Sequence, residues 1–540
     1  MTRLLSLTAF SFSFISFATA QFHPSEVSTS FKFKEVIDKV SRYYVDETDS
    51  EALTETAIVA LLEELDPHST YIPADELQAA QTTINGSFVG VGIRFQIMKD
   101  TLNVVATISG GPAEKLGILP GDKIVSVDGN SIAGIGLKNS DVRDKLMGEL
   151  GSKVKVEVER KRVKKKLTFN ITRDKIPVFS VDSRYMIDDE IGYIKLNSFS
   201  RTTVYEVRSA IRELKGQGMK SLIFDLQGNG GGLLDAAHKL ADEFLSDEKL
   251  IVYSEGKAQP RNNLRAGIKG NFEKGKLIIL TDEYSASASE ILSGAVQDWD
   301  RGLVVGRRTF GKGLVQRPMG LSDGSEIRLT IARYFTPTGR FIQKPYDDVE
   351  SYRKDISERY LNGEFVSADS IKMPDSLKFK TLIKKRTVFG GGGIMPDFFV
   401  PLDTTGSSDY FSELIRGGFL NTFSYEYTNN NRKKLLNKYP DFSDFNTSFD
   451  CGAIQDWDGD EPFMDSFFKY VEEQDSTLKY SEEDFNESGE FIKLRLKAFL
   501  ARNLWDTSEF YQVYNSTNEI LVRAIDILKS KEYNKIDLDN

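Results

Sequence analysis

The 540-residue sequence contains a single cysteine, Cys451, which excludes an intrachain disulfide and any site built from several thiolates. Histidine is almost as scarce. His23, His68 and His238 are the only three, too few for an ordinary transition-metal site, so neither a metal nor an organic cofactor is expected. Beyond the first twenty residues no run approaches the roughly 18–20 apolar residues of a membrane span. An excess of positive charge is also missing. Seventy basic against eighty acidic side chains leave a formal charge of −10, which argues against binding a nucleic-acid backbone. The one basic run, Lys161-Arg162-Val163-Lys164-Lys165-Lys166, lies between two β-like runs and reads as a solvated hairpin tip.

What is present describes a soluble, multidomain globular chain: 40% apolar and 28% charged residues, at a length that implies two to four domains. The first twenty residues read as a secretory signal. Arg3 supplies the positive start, residues 4–17 an apolar stretch, and Ala18-Thr19-Ala20 a small-residue cleavage pattern before Gln21. No cysteine beside that point offers a lipid anchor, so the mature chain is expected to be exported and soluble, in a periplasm or outside the cell.

Patterning divides the remainder. Residues 21–85 have helical spacing (Val36, Val40, Tyr44; then Ala57, Leu61, Leu65), ended by Asp66-Pro67-His68-Ser69. Residues 86–175 carry short β runs, at 89–95, 102–108, 124–127, 154–158 and 167–171, with two short helices and strong turn signals such as Pro120-Gly121-Asp122. Between residues 176 and 402 strands and helices alternate, as around a largely buried sheet in an α/β core. Residues 403–540 are charged, aromatic and helical in pattern, and their role is not readable from sequence.

Three segments of the α/β region can carry chemistry. Tyr284-Ser285-Ala286-Ser287-Ala288-Ser289-Glu290 joins a strand to a helix, which puts a serine at the positive end of a helix dipole beside unpaired N–H groups. Negative charge that develops on an oxyanion is stabilised there. The same letters also spell a Ser-x-x-Glu capping box, whose commoner use is only to start a helix. Gly311-Lys312-Gly313 follows a strand, and a buried lysine held neutral can act as a base where histidines are scarce, whereas most lysines are simply exposed. Gly228-Asn229-Gly230-Gly231-Gly232, at a strand-to-helix turn, can present N–H groups to an anion. No Gly-x-x-x-x-Gly-Lys-Ser/Thr follows it, so an oxyanion hole or a mere tight turn are the readings left.

Together and in this order the segments resemble those of C-terminal processing peptidases, the tail-specific proteases of serine peptidase family S41. Asp225-Leu226-Gln227-Gly228-Asn229-Gly230-Gly231-Gly232 is similar to the family's glycine-rich strand end, with Gln227 where arginine is common. Ser285 to Glu290 is similar to the nucleophile motif and Gly306 to Gly313 to the lysine motif, 25 residues separating Ser287 from Lys312. Residues 66–71 and 335–340 add support, and the likeness runs over about residues 30–402.

The resemblance implies a fold in four parts: an N-terminal helical segment, a PDZ-like β domain, a crotonase/ClpP-like α/β peptidase core and a helix-rich C-terminal extension. It implies Ser287 as nucleophile, Lys312 as base, and Gln316 orienting the lysine. The N–H groups of Ala288 and of Gly230 or Gly231 would form the oxyanion hole. It also implies protein substrates with exposed C-terminal tails, held by Gly90, Val91, Gly92 and Ile93 as carboxylate loop and adjoining strand. An adaptor protein and the oligomeric state stay open. Two other readings are a non-catalytic PDZ scaffold, against which intact Ser287, Lys312 and glycine turn speak, and an acyl-CoA enzyme of the crotonase type, against which export and the PDZ region speak.

Overall fold

A computed structural model describes residues 24–267, 269–406, 408–453, 462–536 and 538. The expected signal segment lies outside these. The described residues form two compact units, divided between Tyr71 and Ile72. The first holds helices α1 (Pro24–Tyr43) and α2 (Ser50–Glu63), as the spacing predicts. Asp49 caps α2 by accepting from the N–H groups of Glu51 and Ala52. Most of the apolar residues at that spacing are exposed: Val36 by 52%, Tyr44 by 62%, Leu61 by 60% and Leu65 by 55%.

The second unit begins with α3 (Ala74–Asn85), followed by a twisted β domain. Its strands β1 (Ile93–Met98), β2 (Thr101–Thr107), β3 (Lys123–Val127), β4 (Lys153–Glu159) and β5 (Leu167–Thr172) pair in that order, with α4 (Asn139–Leu146) before β4. The single strand expected over residues 89–95 is instead two. Ser87–Gly90 pairs with Asp174–Pro177, and β1 joins the main sheet. Gly92, at φ +80°, turns the chain between them, a conformation that side-chain-bearing residues rarely adopt. The basic hairpin tip is exposed, as expected, but not merely solvated: Lys161 Nζ donates to Asn430 Oδ1 at 2.7 Å.

The α/β core is built on a sheet of six strands. β6 (Val181–Met186) runs antiparallel to β7 (Ile191–Leu196). β8 (Ser221–Asp225), β11 (Lys276–Thr281), β12 (Leu303–Gly306) and the short β15 (Phe398–Phe399) continue it in parallel. Near-continuous apolar runs such as Leu277-Ile278-Ile279-Leu280 are what a parallel sheet covered on both faces requires. Helices α5 (Thr203–Gly216), α6 (Leu234–Ala241) and α7 (Ala288–Asp298) pack on one face around Phe224, Leu240, Ile279 and Leu292. Beside the core, β9 (Leu250–Gly256), β10 (Gln259–Arg265), β13 (Leu314–Gly320) and β14 (Glu326–Phe335) form antiparallel pairs. Of these, only β14 is visible in the sequence pattern.

The C-terminal region does two things. Helices α8 (Phe419–Lys438), α9 (Phe463–Gln474) and α10 (Glu482–Leu504) enclose an aromatic core in which Phe423 meets Phe463 and Phe467 edge-on. This bundle reaches the β domain: buried Tyr425 donates its hydroxyl to the Val104 carbonyl at 2.9 Å. After α11 (Thr507–Tyr514), α12 (Glu519–Lys529) covers the second face of the six-stranded sheet, packing Ile520, Ala524 and Ile527 against Ile278 and Val305. The region is therefore part of the core layer. Ile527→Ala should lower unfolding stability by about 2–5 kcal/mol, the range for a fully buried aliphatic side chain. Urea midpoints check this; an unchanged midpoint would mean that α12 is not part of the folded core.

Candidate active site

The parallel strands deliver three loops to one place, each for a local reason. At the end of β11, Asp282 accepts from the N–H groups of Tyr284 and Ser285, both at 3.0 Å, and folds the chain back on itself. Both oxygens of the same carboxylate accept from Gly228 N–H at 2.9 Å, which binds this turn to the glycine loop after β8. Ser285 adds a bond to the Leu226 carbonyl (2.8 Å), Ser289 one to the Asn229 carbonyl (2.9 Å), and Ala286 N–H one to the same carbonyl (3.0 Å). The Ser287 loop and the glycine loop are thus one hydrogen-bonded body.

Ser287 stands at the junction with α7 at φ +56°, ψ −110°. For a residue with a side chain this conformation costs roughly 1–3 kcal/mol, and the surrounding bonds hold it in place. It is not the extended conformation of an ordinary N-cap. Gly231 faces it closely: a Cβ there would lie 2.8 Å from the Ala286 carbonyl oxygen, 2.9 Å from Ser287 Cβ and 3.0 Å from Ala288 N. Glycine is therefore required so that the two loops can touch. Gly231 N–H is already taken by Asn229 Oδ1 at 2.9 Å. Among the described residues nothing accepts from the N–H groups of Gly230 or Ala288.

The lysine loop leaves β12 and closes on the same helix terminus. Glu290, in the first turn of α7, is fully buried, and its carboxylate collects four donors. Oε2 accepts from Ser287 N–H at 2.7 Å and from Lys312 N–H at 2.8 Å. Oε1 accepts from the Thr309 hydroxyl at 2.6 Å and from Gly311 N–H at 2.7 Å. The Glu290 half of a capping box is therefore real, but the carboxylate that caps α7 also clamps Lys312. On the other side of this junction the hydroxyl of buried Tyr334, on β14, lies 2.5 Å from the Lys312 carbonyl and 3.1 Å from the Ser287 carbonyl. Residues 287 and 312 thus share one acceptor for their amides and one hydroxyl at their carbonyls. Gln316, on β13, donates its amide to Thr330 Oγ1 at 3.1 Å.

Burial sets the electrostatics. Desolvation pushes the Glu290 carboxyl up to about 7, against the pull of its four donors, which favour the ionised form. Burial and the Glu290 charge hold the Tyr334 phenol well above its ordinary range, so it stays a neutral donor. Next to the glycine loop, Lys195 Nζ pairs with Asp225 Oδ1 at 3.1 Å, both groups buried, and Tyr193 donates to Asp225 Oδ2 at 2.6 Å. Gln227 turns back onto the same carboxylate, donating its amide at 3.2 Å. The cation at this strand end comes from the neighbouring strand.

A second site lies on the β domain. Val91 and Gly92 form the bend before β1; their carbonyls accept from Ala113 N–H (3.0 Å) and Ile108 N–H (2.9 Å). Among the described residues their own N–H groups carry no partner. Beside them a groove of about 540 Å³ runs between β1 and α4, lined by Phe88, Val91, Ile93, Phe95, Val142 and Leu146. Gly90 ends the preceding strand, paired with Asp174.

Sequence reasoning named Ser287, Lys312, Gln316 and the glycines, and the structure gathers Ser287, Lys312 and the glycine loop at one helix terminus. It missed Tyr334, Asn229 as a brace and Asp282. Nothing local marks a tyrosine whose partners lie 47 and 22 residues away. Among the described residues no group of three or more His, Cys, Asp or Glu side chains is placed to hold a metal, and no helix is long and apolar enough to cross a membrane.

The chain joins loops gathered around Ser287 on an α/β core to a β domain with an apolar groove, and comparison with known proteins gives the class: a serine peptidase with a peptide-binding module. Residues 190–351 match peptidase family S41, residues 104–160 a PDZ domain, and residues 410–506 a family of unknown function (DUF8443). The carboxy-terminal-processing protease of Bartonella bacilliformis is 34% identical over 316 residues, 58% of this chain and 72% of its own length. The processing protease CtpB of Bacillus subtilis is 33% identical over 334 residues, 61% of this chain and 68% of its own. The solved photosystem II D1 C-terminal processing protease is 32% identical over 58% of this chain and 89% of its own, with a TM-score of 0.32. The chain belongs to the S41 family of carboxy-terminal processing proteases, which are serine-type peptidases.

Glu290 gives this site a pH signature. Its folded pKa, about 7, lies above the ordinary 4.5, so the folded state holds a proton that the unfolded chain has lost between those values. The stabilising contribution is complete below pH 4.5 and is lost as pH rises through about 7. Unfolding stability should therefore carry a falling component of about 1.4 kcal/mol per pH unit across that window. Glu290→Gln should remove that component. Urea midpoints of both proteins at pH 5, 6 and 7 test it; equal slopes would contradict the assignment.

Proposed function

We propose that this chain is an exported endopeptidase that cleaves proteins near their C-terminal tails, with Ser287 as nucleophile and Lys312 as general base. The observation that carries this reading is the sharing of Glu290 Oε2 by the amides of Ser287 and Lys312. A carboxylate clamp of that kind keeps the two loops in register whatever the substrate does, as preorganised catalysis demands.

In the proposed cycle Ser287 Oγ attacks the scissile carbonyl carbon while the neutral Lys312 amine takes the hydroxyl proton. The resulting oxyanion is received by the N–H groups of Ala288 and Gly230. The Gly231 N–H is engaged with Asn229, which favours Gly230 as the second donor. Collapse of the tetrahedral adduct breaks the C–N bond, and Lys312 returns its proton to the leaving amine. Water then attacks the acyl-serine with Lys312 again as base, which releases the acid and restores Ser287. Gln316, anchored on Thr330, leaves its amide oxygen as an acceptor for the lysine ammonium.

The PDZ groove supplies the substrate class. Unpartnered N–H groups at Val91 and Gly92 suit a terminal carboxylate, and the apolar walls suit an apolar last residue. Residues 1–20 are proposed as the signal that exports the chain, removed before Gln21.

Ser287→Ala and Lys312→Ala should each lower cleavage by at least about 10²–10⁴-fold, the usual contribution of a positioned base. The double variant should be little worse than either, because the two act as one unit. Mass spectrometry of peptides released from proteins with defined tails, with far-UV circular dichroism to verify folding, reads the outcome. Near-wild-type turnover by folded Lys312→Ala would refute the assignment of the base.

A further inference from the structure

We infer that a basic cleft at the upstream end of the PDZ groove selects substrates carrying acidic residues a short distance before their C-terminal tail. The inference rests on the tail-capture reading above for its direction, but on separate residues for its chemistry. The cleft, about 910 Å³, opens between the hairpins of the β domain and helix α8 of the C-terminal bundle. Seven Lys and Arg side chains line it against three carboxylates, in a chain whose net charge is −10.

The three carboxylates are already taken. Arg160 pairs with Asp122 at 2.7 Å, Lys166 with Glu159 at 3.5 Å and Lys99 with Glu426 at 3.9 Å. Lys161 is held by Asn430, which anchors the basic hairpin to the bundle. Lys123, Lys164 and Lys165 remain exposed, with no partner among the described residues. Three unpaired ammonium groups concentrated at one concave surface focus a positive potential there.

Strand direction connects the cleft to the groove. β1 pairs with β2 on one side only, so its other edge is open to an added strand among the described residues. A tail whose carboxylate sits at Val91 and Gly92, where β1 is about to begin, must have its upstream residues beside the far end of the strand. That end is Met98, and Met98 and Lys99 form the lip of the basic cleft. The six residues of β1 span about 20 Å at roughly 3.3 Å each, so the residue entering the cleft is about the sixth from the chain end. In register Gln96 of β1 stands opposite Asn103 of β2 and Asn103 opposite Lys123 of β3, so Lys123 lies on the paired side of β1, about 14 Å (three strand spacings) from an added strand. The segment upstream of about the sixth residue therefore reaches Lys123, Lys164 and Lys165 by crossing the turn at Lys99 and Asp100.

The test measures binding of fluorescent peptides of about fourteen residues to the Ser287→Ala protein. All end in the same apolar tail. One pair carries four consecutive Asp/Glu or four Ser/Asn residues just upstream of the sixth position, and each is made as free acid and as amide. The acidic free acid should bind about tenfold more tightly at low ionic strength, the sum of a few exposed ion pairs. The gain should shrink in about 0.5 M salt and vanish in the combined Lys123→Ala, Lys164→Ala, Lys165→Ala variant. That variant should bind the neutral peptide as before, which also shows that it is folded. Amidation should weaken both peptides alike. If amidation has no effect while the acidic gain persists, the cleft stands and tail capture fails. Equal affinity of acidic and neutral peptides, or a gain that survives the triple variant, would overturn the inference. So would an oligonucleotide that binds through these lysines when the acidic peptide shows no gain.

Discussion

Four donors converge on one carboxylate that water does not reach. Glu290 holds the amides of Ser287, Gly311 and Lys312 and the hydroxyl of Thr309, and everything else at the site follows from that junction. A buried carboxylate without partners would be costly, and one with four charge-assisted bonds is tolerated. The four bonds leave it little freedom, so the loop after β12 cannot drift from the terminus of α7. The strained backbone of Ser287 and the close approach of Gly231 are affordable because the bonds around them over-determine the turn.

The parts of this arrangement that were legible in the sequence are those whose cause is local. Ser287 to Glu290 reads as a helix start, the glycine run as a strand-to-helix turn, and Leu277-Ile278-Ile279-Leu280 as a buried strand, because each depends on neighbours within a few residues. Glu290 was visible as half of a capping box, but its second role was not, since the partners that matter lie 19 to 22 residues downstream. Tyr334 and Asn229 were illegible for the same reason. The split of residues 89–95 into two strands was missed because one glycine at positive φ interrupts an otherwise regular β run. On α1 and α2 the spacing reports which residues share a face, and does not say whether anything covers it.

The C-terminal region shows where sequence patterning stops. Its helices are predictable from spacing, yet the division of labour among them depends on tertiary contacts. α12 supplies the missing cover for a sheet that must be buried on both faces, while α8 carries Tyr425 and Asn430 to the β domain. The lysines of residues 161–166 gain their meaning only from that docking. The run read as solvated because nothing in the sequence places a bundle opposite it. The same contacts close one wall of a cleft whose basic side chains all belong to the β domain.

The central claim is that Ser287 is activated by Lys312 across the Glu290 junction, and covalent labelling tests it without knowledge of any natural substrate. A fluorophosphonate that reacts only with activated serines should add once per chain, with the adduct located at Ser287 by peptide mass spectrometry. The rate should fall at least about 100-fold in Lys312→Ala, the loss expected when a general base is removed. An adduct on another serine, or labelling of Ser287 at an undiminished rate in folded Lys312→Ala, would contradict the account.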